Sequence, residues 1–176
     1  MNIFLIGYRC TGKTTVGQLL SEYLKWPFID SDDEVEKEYN RTISEMVEEE
    51  GWDKFRKREK EAIRNISFLD KTIVSTGGGV ILNSSNISNL RRSGIVVWLT
   101  ASKETIFERM VSDVNTASKR PSLLDTDLEA EINETLSKRT PLYEKSCDFS
   151  INTDEINLED ISINIVNTIK ERGLKI

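Results

Sequence analysis

The chain has no histidine. That removes Ser-His-Asp triads, HExxH zinc sites and imidazole general bases, so any acid–base work falls to carboxylates or to a substrate. Cysteine is scarce: Cys10 and Cys147 only, with no CxxC pair. Two free thiols in a reducing compartment fit this better than a disulfide framework does. Long apolar runs are missing too. No stretch approaches the ~20 apolar residues of a membrane span. The N-terminal run Ile3-Phe4-Leu5-Ile6 follows no basic segment and is too short for a signal sequence. A cytoplasmic location is therefore expected. Positive charge is also in deficit, with 24 Lys and Arg against 30 Asp and Glu, a net charge of -6. Bulk binding to a phosphate backbone needs a basic surface, so neither a nucleic acid nor a membrane is expected as partner. A small anionic molecule stays compatible if a few cations gather in one pocket.

What is present is one domain's worth of chain. The 176 residues are 38% hydrophobic and 31% charged, as in a globular protein with its own core. Short apolar runs alternate with segments of helical period. Strands are predicted at 3–6, 27–30, 72–75, 95–99 and 147–151, the second of them reading Pro27-Phe28-Ile29-Asp30. Continuous apolar strands separated by helices point to a parallel sheet covered on both faces, with right-handed crossovers. A helix is predicted over 13–24. Ser31-Asp32-Asp33-Glu34 and Thr42-Ile43-Ser44-Glu45 read as capping boxes. Residues 48–64 are charge-rich with little strand character and read as helix. Leu158, Ile161, Ile165 and Ile169 form one helical stripe, with Gly173 as its stop. Residues 112–127 carry weak periodicity and contain Arg120-Pro121, which suits a mobile segment or an ordinary surface loop.

Gly7-Tyr8-Arg9-Cys10-Thr11-Gly12-Lys13-Thr14 matches GxxxxGK[ST]. The first glycine turns the chain off the strand, successive N–H groups face inward, and the following helix contributes its positive end. Lys13 can reach the β- and γ-phosphates of a nucleoside triphosphate, and the Thr14 hydroxyl can ligate Mg²⁺. A chance Gly-rich turn is the competing reading, and the predicted strand before and helix after disfavour it. Cys10 reads as a small loop residue. Tyr8 and Arg9 are expected at the loop surface, with no side-chain chemistry of their own.

Asp30-Ser31-Asp32 stands at the C-terminal end of the second strand, the end that faces the ligand crevice in open α/β sheets. Asp30 can serve the metal and Asp32 a second ligand; helix-start preference for carboxylates explains Asp32 and Asp33 about as well. Arg56 lies in Phe55-Arg56-Lys57-Arg58-Glu59, where a solvated face with Arg56–Glu59 pairing is the plain account. Arg120 and Arg139 each precede a proline-containing turn, where surface solvation is the plain account. Gly77-Gly78-Gly79 is harder to dismiss. Each glycine costs roughly 0.5–1 kcal/mol of chain entropy relative to alanine, and close approach of a ligand to bare backbone would explain three in a row.

Taken in order, the segments GYRCTGKTTVG at 7–17, FIDSDDEVE at 28–36, FRKRE at 55–59, STGGGVI at 75–81, KRPSLL at 119–124 and KRTPLYE at 138–144 resemble the shikimate kinase family. That family sits in the nucleoside-monophosphate-kinase-like group of P-loop folds. The resemblance implies an α/β three-layer sandwich with a five-stranded parallel sheet of order 2-3-1-4-5. It implies one domain over 1–176, with a substrate-binding helical part near 31–62 and a lid near 112–124. The implied reaction moves the γ-phosphoryl group of MgATP to the 3-hydroxyl of shikimate, in aromatic amino-acid biosynthesis, by a monomer with Mg²⁺ as cofactor.

The resemblance also implies roles. Gly7, Tyr8, Arg9, Cys10, Thr11, Gly12, Lys13, Thr14 and Thr15 hold ATP phosphates, with Thr14 on Mg²⁺ and Asp30 reaching it through water. Asp32 binds a shikimate hydroxyl and acts as base. Arg56 and Arg139 pair with the shikimate carboxylate, and Gly77, Gly78 and Gly79 border the ring. Arg120, in the lid, reaches over the transferring phosphate and counts as catalytic beside Lys13 and Asp32. Arg109 stacks on adenine. Three features depart from the family pattern: Cys10 stands where glycine is usual, the segment before Arg120 is longer and more polar, and Asn152-Thr153-Asp154 lacks the arginines some members carry.

Overall fold

The apolar run after Met1 forms a strand whose alternate side chains feed two different cores. In a computed structural model of the chain, described over residues 1–112, 127–154, 157–174 and 176, strand β1 spans Asn2–Ile6 and every residue in it is buried. Ile3 and Leu5 pack on one side with Val16, Leu20, Ile161, Ile165 and Ile169. Phe4 and Ile6 pack on the other with Ile63, Ile66, Leu90 and Tyr143. Period-two alternation on a strand covered by helices on both faces gives this division directly.

The elements in chain order are β1, α1 (Lys13–Leu24), β2 (Phe28–Asp30), α2 (Ser31–Tyr39), α3 (Ile43–Glu50), α4 (Trp52–Ile66), β3 (Ile73–Ser75), a 3₁₀ turn at Val80–Leu82, α5 (Ser84–Ser93), β4 (Gly94–Thr100), α6 (Lys103–Ser112), α7 (Leu128–Ser146), β5 (Phe149–Asn152) and α8 (Leu158–Glu171). The five strands pair in parallel in the order β2-β3-β1-β4-β5. Helices α1 and α8 cover one face, and α4, α5 and α7 cover the other. Two smaller apolar clusters matter for function. Val35, Met46 and Phe55 join α2, α3 and α4 into a side wall. Ile106, Met110 and Ile132 join α6 to α7 around Tyr8.

The sheet order and strand positions agree with the reading above, with ends shifted by one or two residues. The predicted helix at 13–24 is α1, and Thr42 closes a full capping box with Glu45. Other local expectations need correction. The 48–64 segment is two helices, because Gly51 adopts φ 80°, ψ 164° and its N–H closes α3 on Val47. The cap of α2 is Asp30 rather than Ser31, its side chain accepting from the Asp32 N–H at 3.0 Å. Arg139 precedes no turn, since α7 runs on through Pro141. The Pro141 ring faces outward, while Tyr143, two residues on, is fully buried and holds the second half of the helix in place. Helix α5 was not anticipated. Its sequence has weak propensity, and Asn83 capping with burial of Asn86 and Leu90 supplies what propensity does not.

The β1–β4 pairing places Gly94 directly opposite Asn2. A methyl group on Gly94 would press into the Asn2 backbone, its carbonyl carbon 2.7 Å away. Backbone cannot yield as a side chain tip can. Gly94→Ala is therefore expected to cost about 1–3 kcal/mol of unfolding free energy, measured by urea denaturation, with an unchanged midpoint counting against this register.

Candidate active site

The phosphate loop is built from two backbone conformations that only glycine takes cheaply. Gly7 has φ 148° and Gly12 φ 85°. A Cβ on Gly7 would also lie 2.5 Å from the Leu99 carbonyl oxygen. Between them Cys10 takes φ 60°, a left-handed conformation that costs a non-glycine residue on the order of 1 kcal/mol. Its side chain packs beside the Tyr8, Ile106, Met110 and Ile132 cluster, which offsets part of that strain. Lys13, 6% exposed, donates from Nζ to the Tyr8 carbonyl at 2.7 Å, and Thr11 Oγ1 donates to the same oxygen at 2.8 Å. Thr14 and Thr15 begin the exposed side of α1.

Strand β2 brings Asp30 to this loop. The Thr14 hydroxyl donates to Asp30 Oδ2 at 3.1 Å and lies 3.5 Å from the Ser75 hydroxyl. One Asp30 oxygen thus caps α2 and the other faces the first turn of α1. A hydroxyl and a carboxylate oxygen side by side beyond a phosphate loop are the donor types a hard divalent cation takes. Among the described residues no group of three or more Cys, Asp or Glu could hold a metal by itself. A nucleotide-bound Mg²⁺ fits such a site, because it keeps waters and phosphate oxygens and needs few protein ligands.

On the far side of the loop lies a pocket that gathers Asp32, Arg56, Glu59, Arg139 and all three glycines of the GGG run. Ile43, Trp52 and Phe55 form its apolar wall. Arg56 stands over the Trp52 and Phe55 rings, 5.0 and 5.2 Å from their centroids, and donates to Glu59 Oε1 at 2.7 Å. Arg139 comes from α7 and donates to the Gly78 carbonyl at 3.2 Å; the Tyr143 hydroxyl donates to the same oxygen at 2.6 Å. Two of the glycines have a clear steric cause. A methyl on Gly77 would collide with the Asp32 carboxylate, and one on Gly79 with the Arg56 guanidinium. The bare backbone expected to meet a ligand is thus first met by the ligand-facing side chains.

Glu59 is 1% exposed, and its Oε2 has no hydrogen-bond partner among the described residues. Burial pushes its carboxyl up to about 7, against the pull of the Arg56 guanidinium, with the nearby Asp32 charge adding to the rise. Tyr8 and Tyr143 are also raised by burial, so both stay neutral donors at ordinary pH.

Of the residues singled out from sequence, Asp32, Arg56, Gly77, Gly78, Gly79 and Arg139 share this pocket, and Lys13, Thr14 and Asp30 sit beside it. Arg109 lies on the opposite flank of the loop. Its guanidinium donates to the Cys10 carbonyl at 3.2 Å and to the Thr153 carbonyl at 2.6 Å. Arg120 and residues 113–124 of the expected lid lie outside the described residues. Tyr8 and Arg9 correct the sequence reading. They are 2% and 9% exposed rather than on the loop surface, because α6 and α7 fold over them. Glu59 was visible only as an ordinary i,i+3 partner of Arg56, and no local pattern announced Tyr143.

Three comparisons bear on this geometry. The shikimate kinase family model matches residues 9–170. The shikimate kinase of Caldicellulosiruptor bescii is 42% identical over 158 residues, covering 90% of this chain and 89% of that protein. That of Syntrophus aciditrophicus is 38% identical over 183 residues, covering 99% and 94%. The solved shikimate kinase from Acinetobacter baumannii in complex with shikimate superposes with a TM-score of 0.91 at 33% identity, over 99% of this chain and 95% of that one. A gluconokinase from Sinorhizobium meliloti shares the fold at 16% identity and a TM-score of 0.57.

The Glu59 geometry makes a stability prediction. Its folded value near 7 exceeds the ordinary 4.5, so between those values the folded state holds a proton that the unfolded state has lost. Wild-type stability from this group is full below 4.5 and falls as pH rises toward 7. The unfolding free energy of Glu59→Gln, relative to wild type, is expected to improve by about 3 kcal/mol between pH 4.5 and 8. A difference that stays flat across chemical denaturation series at those pH values would show that Glu59 titrates normally.

Proposed function

The chain belongs to the shikimate kinase family, and from that premise we propose that it transfers the γ-phosphoryl group of ATP to the 3-hydroxyl of shikimate, giving shikimate 3-phosphate and ADP. The observation that carries the reading is the pairing of Arg56 and Arg139 in one pocket beside Asp32, on a floor of glycines next to the phosphate loop. Two planar guanidiniums at one site suit bidentate recognition of a single carboxylate. They explain how a chain with a net charge of -6 holds a small anion.

Phosphoryl transfer asks the protein for position and charge more than for covalent chemistry. Lys13 exchanges the Tyr8 carbonyl for the nucleotide's β- and γ-phosphates. The loop N–H groups and the start of α1 receive the rest of the triphosphate. Asp32, held over Gly77, orients the acceptor hydroxyl and takes its proton late in the transfer. Arg56 and Arg139 fix the ring through its carboxylate. Mg²⁺, when bound with ATP, neutralises charge on the phosphate oxygens; Thr14, and Asp30 through water, are the residues that would hold it. Arg109, tied between Cys10 and Thr153, marks the side on which the adenine is read. Arg120 reaches over the transferring phosphate in this reading, on the family resemblance alone. A cytoplasmic monomer is the state in which the enzyme would work. No helix among the described residues is long and apolar enough to cross a membrane.

Another small-acceptor kinase of this fold is the competing reading, favoured by the shared architecture with a gluconokinase. A coupled ADP-release assay across shikimate, gluconate and nucleoside monophosphates separates the two. Turnover is expected with shikimate; activity on gluconate or a monophosphate with none on shikimate would overturn the proposal. Within the shikimate reaction, Asp32→Asn is expected to lower kcat at least about 100-fold. Arg56→Ala should raise the shikimate KM roughly 10-fold or more while leaving that for ATP in place. Gly79→Ala should copy Arg56→Ala in milder form, since its methyl group displaces the guanidinium. An unchanged shikimate KM in both would count against carboxylate pairing.

A further inference from the structure

Arg9 belongs by sequence to the nucleotide loop, yet its guanidinium lies against Glu131 of α7. It borders the same pocket as Arg56, Arg139 and Asp32. Its backbone nitrogen lies 3.7 Å from where a Cβ on Gly78 would stand, next to the carbonyl that receives Arg139. The Arg9 side chain is 10% exposed, and its Nη2 lies 3.5 Å from Glu131 Oε1 on the first turn of α7. The guanidinium also overlies the Tyr8 ring at 5.7 Å. A charge-assisted bond of full strength is about 2.7–2.9 Å long. At 3.5 Å the pair is loose, and a guanidinium has five N–H donors to place. A nearly buried, loosely paired cation at the wall of an anion pocket is costly unless something else completes it. Arg56, by contrast, is already bound to Glu59 at 2.7 Å.

We propose that Arg9 is an acceptor-binding residue, its guanidinium turning from Glu131 toward the carboxylate of shikimate as a third arginine beside Arg56 and Arg139. This deepens the shikimate kinase reading and rests on it. The plain alternative is a strut, in which Arg9 and Glu131 only tie the phosphate loop to α7. The two accounts give opposite signs for Glu131. As a strut, each partner matters equally. As an acceptor residue, Arg9 is restrained by Glu131, and removing that charge releases it to the ligand.

The test is calorimetric titration of shikimate into the wild-type protein and into Arg9→Met, Arg9→Lys and Glu131→Gln, with thermal unfolding of each as control. Arg9→Met is expected to weaken shikimate about 10-fold, Arg9→Lys to recover part of the loss, and Glu131→Gln to bind as tightly as wild type or more so. Equal weakening by Arg9→Met and Glu131→Gln would make the pair a strut and overturn the proposal. So would unchanged shikimate affinity in Arg9→Met, and so would unchanged affinity in Arg9→Lys if the methionine variant fails to fold. A wild-type protein that binds no shikimate would overturn this proposal and the functional reading together, whereas loss confined to the variant comparison leaves that reading standing.

Discussion

The acceptor side of the site hangs on one oxygen. The Gly78 carbonyl accepts from the Tyr143 hydroxyl and from Arg139, both on α7, while Gly78 itself follows β3. These bonds dock a helix from late in the chain onto a loop from its middle. Without them Arg139 would have no fixed relation to Arg56, which comes from α4 on another wall. Tyr143 can serve this way because it is fully buried and stacks on Trp98, so its hydroxyl stays a neutral donor. The bond to a buried acceptor also satisfies a hydroxyl that would otherwise be costly to enclose.

Charge is managed by the same close packing. Asp32, Glu59, Arg56 and Arg139 converge on three residues that have no side chains of their own. Side chains could not approach the strand end so closely over anything larger. The result is a site where two carboxylates and two guanidiniums nearly balance before any ligand arrives. Burial raises the Glu59 carboxyl despite the Arg56 guanidinium beside it. On the proposed reading, an incoming carboxylate would compete with Glu59 for Arg56, so a neutral Glu59 would favour the anion and an ionised one oppose it.

Much of this was legible in the residues, and the failures have physical causes. The strand positions, α1 and the Thr42 capping box follow from patterns local to a few residues, where periodicity and cap chemistry act alone, whereas the sheet order came only with the family resemblance. The phosphate loop was equally plain, because backbone geometry restricts which positions can be glycine. Gly51 breaking one predicted helix into α3 and α4 is also a local effect, outweighed in reading by the surrounding charge-rich run. Tyr8 and Arg9 went wrong for a different reason. Their burial is imposed by α6 and α7, which arrive about a hundred residues later. The same holds for Arg139, whose helix continues through a proline because tertiary packing of Tyr143 outweighs the local penalty. Pairing of Arg56 with Glu59 was legible as an i,i+3 contact, and its place inside the pocket, which spacing alone did not show, agrees with what the resemblance implied.

The two halves of the site carry different kinds of information. On the proposed reading, the phosphate loop, Thr14 and Asp30 meet what every nucleotide donor shares, so they speak for the donor class and say nothing about the acceptor. The structural likeness to a gluconokinase at 16% identity is a likeness of fold alone. On that reading, acceptor choice comes from side chains that the fold permits without requiring: Asp32 over Gly77, Arg56 over Gly79, Arg139 on Gly78 and the apolar wall of Ile43, Trp52 and Phe55. These residues come from five separate stretches of chain, and their joint position depends on contacts among helices as well as on the β2–β3 pairing. A scaffold of this kind can change acceptors by altering one wall while keeping its donor machinery. Here a glycine floor lies under two guanidiniums, which on the proposed reading suits that wall to a small carboxylate.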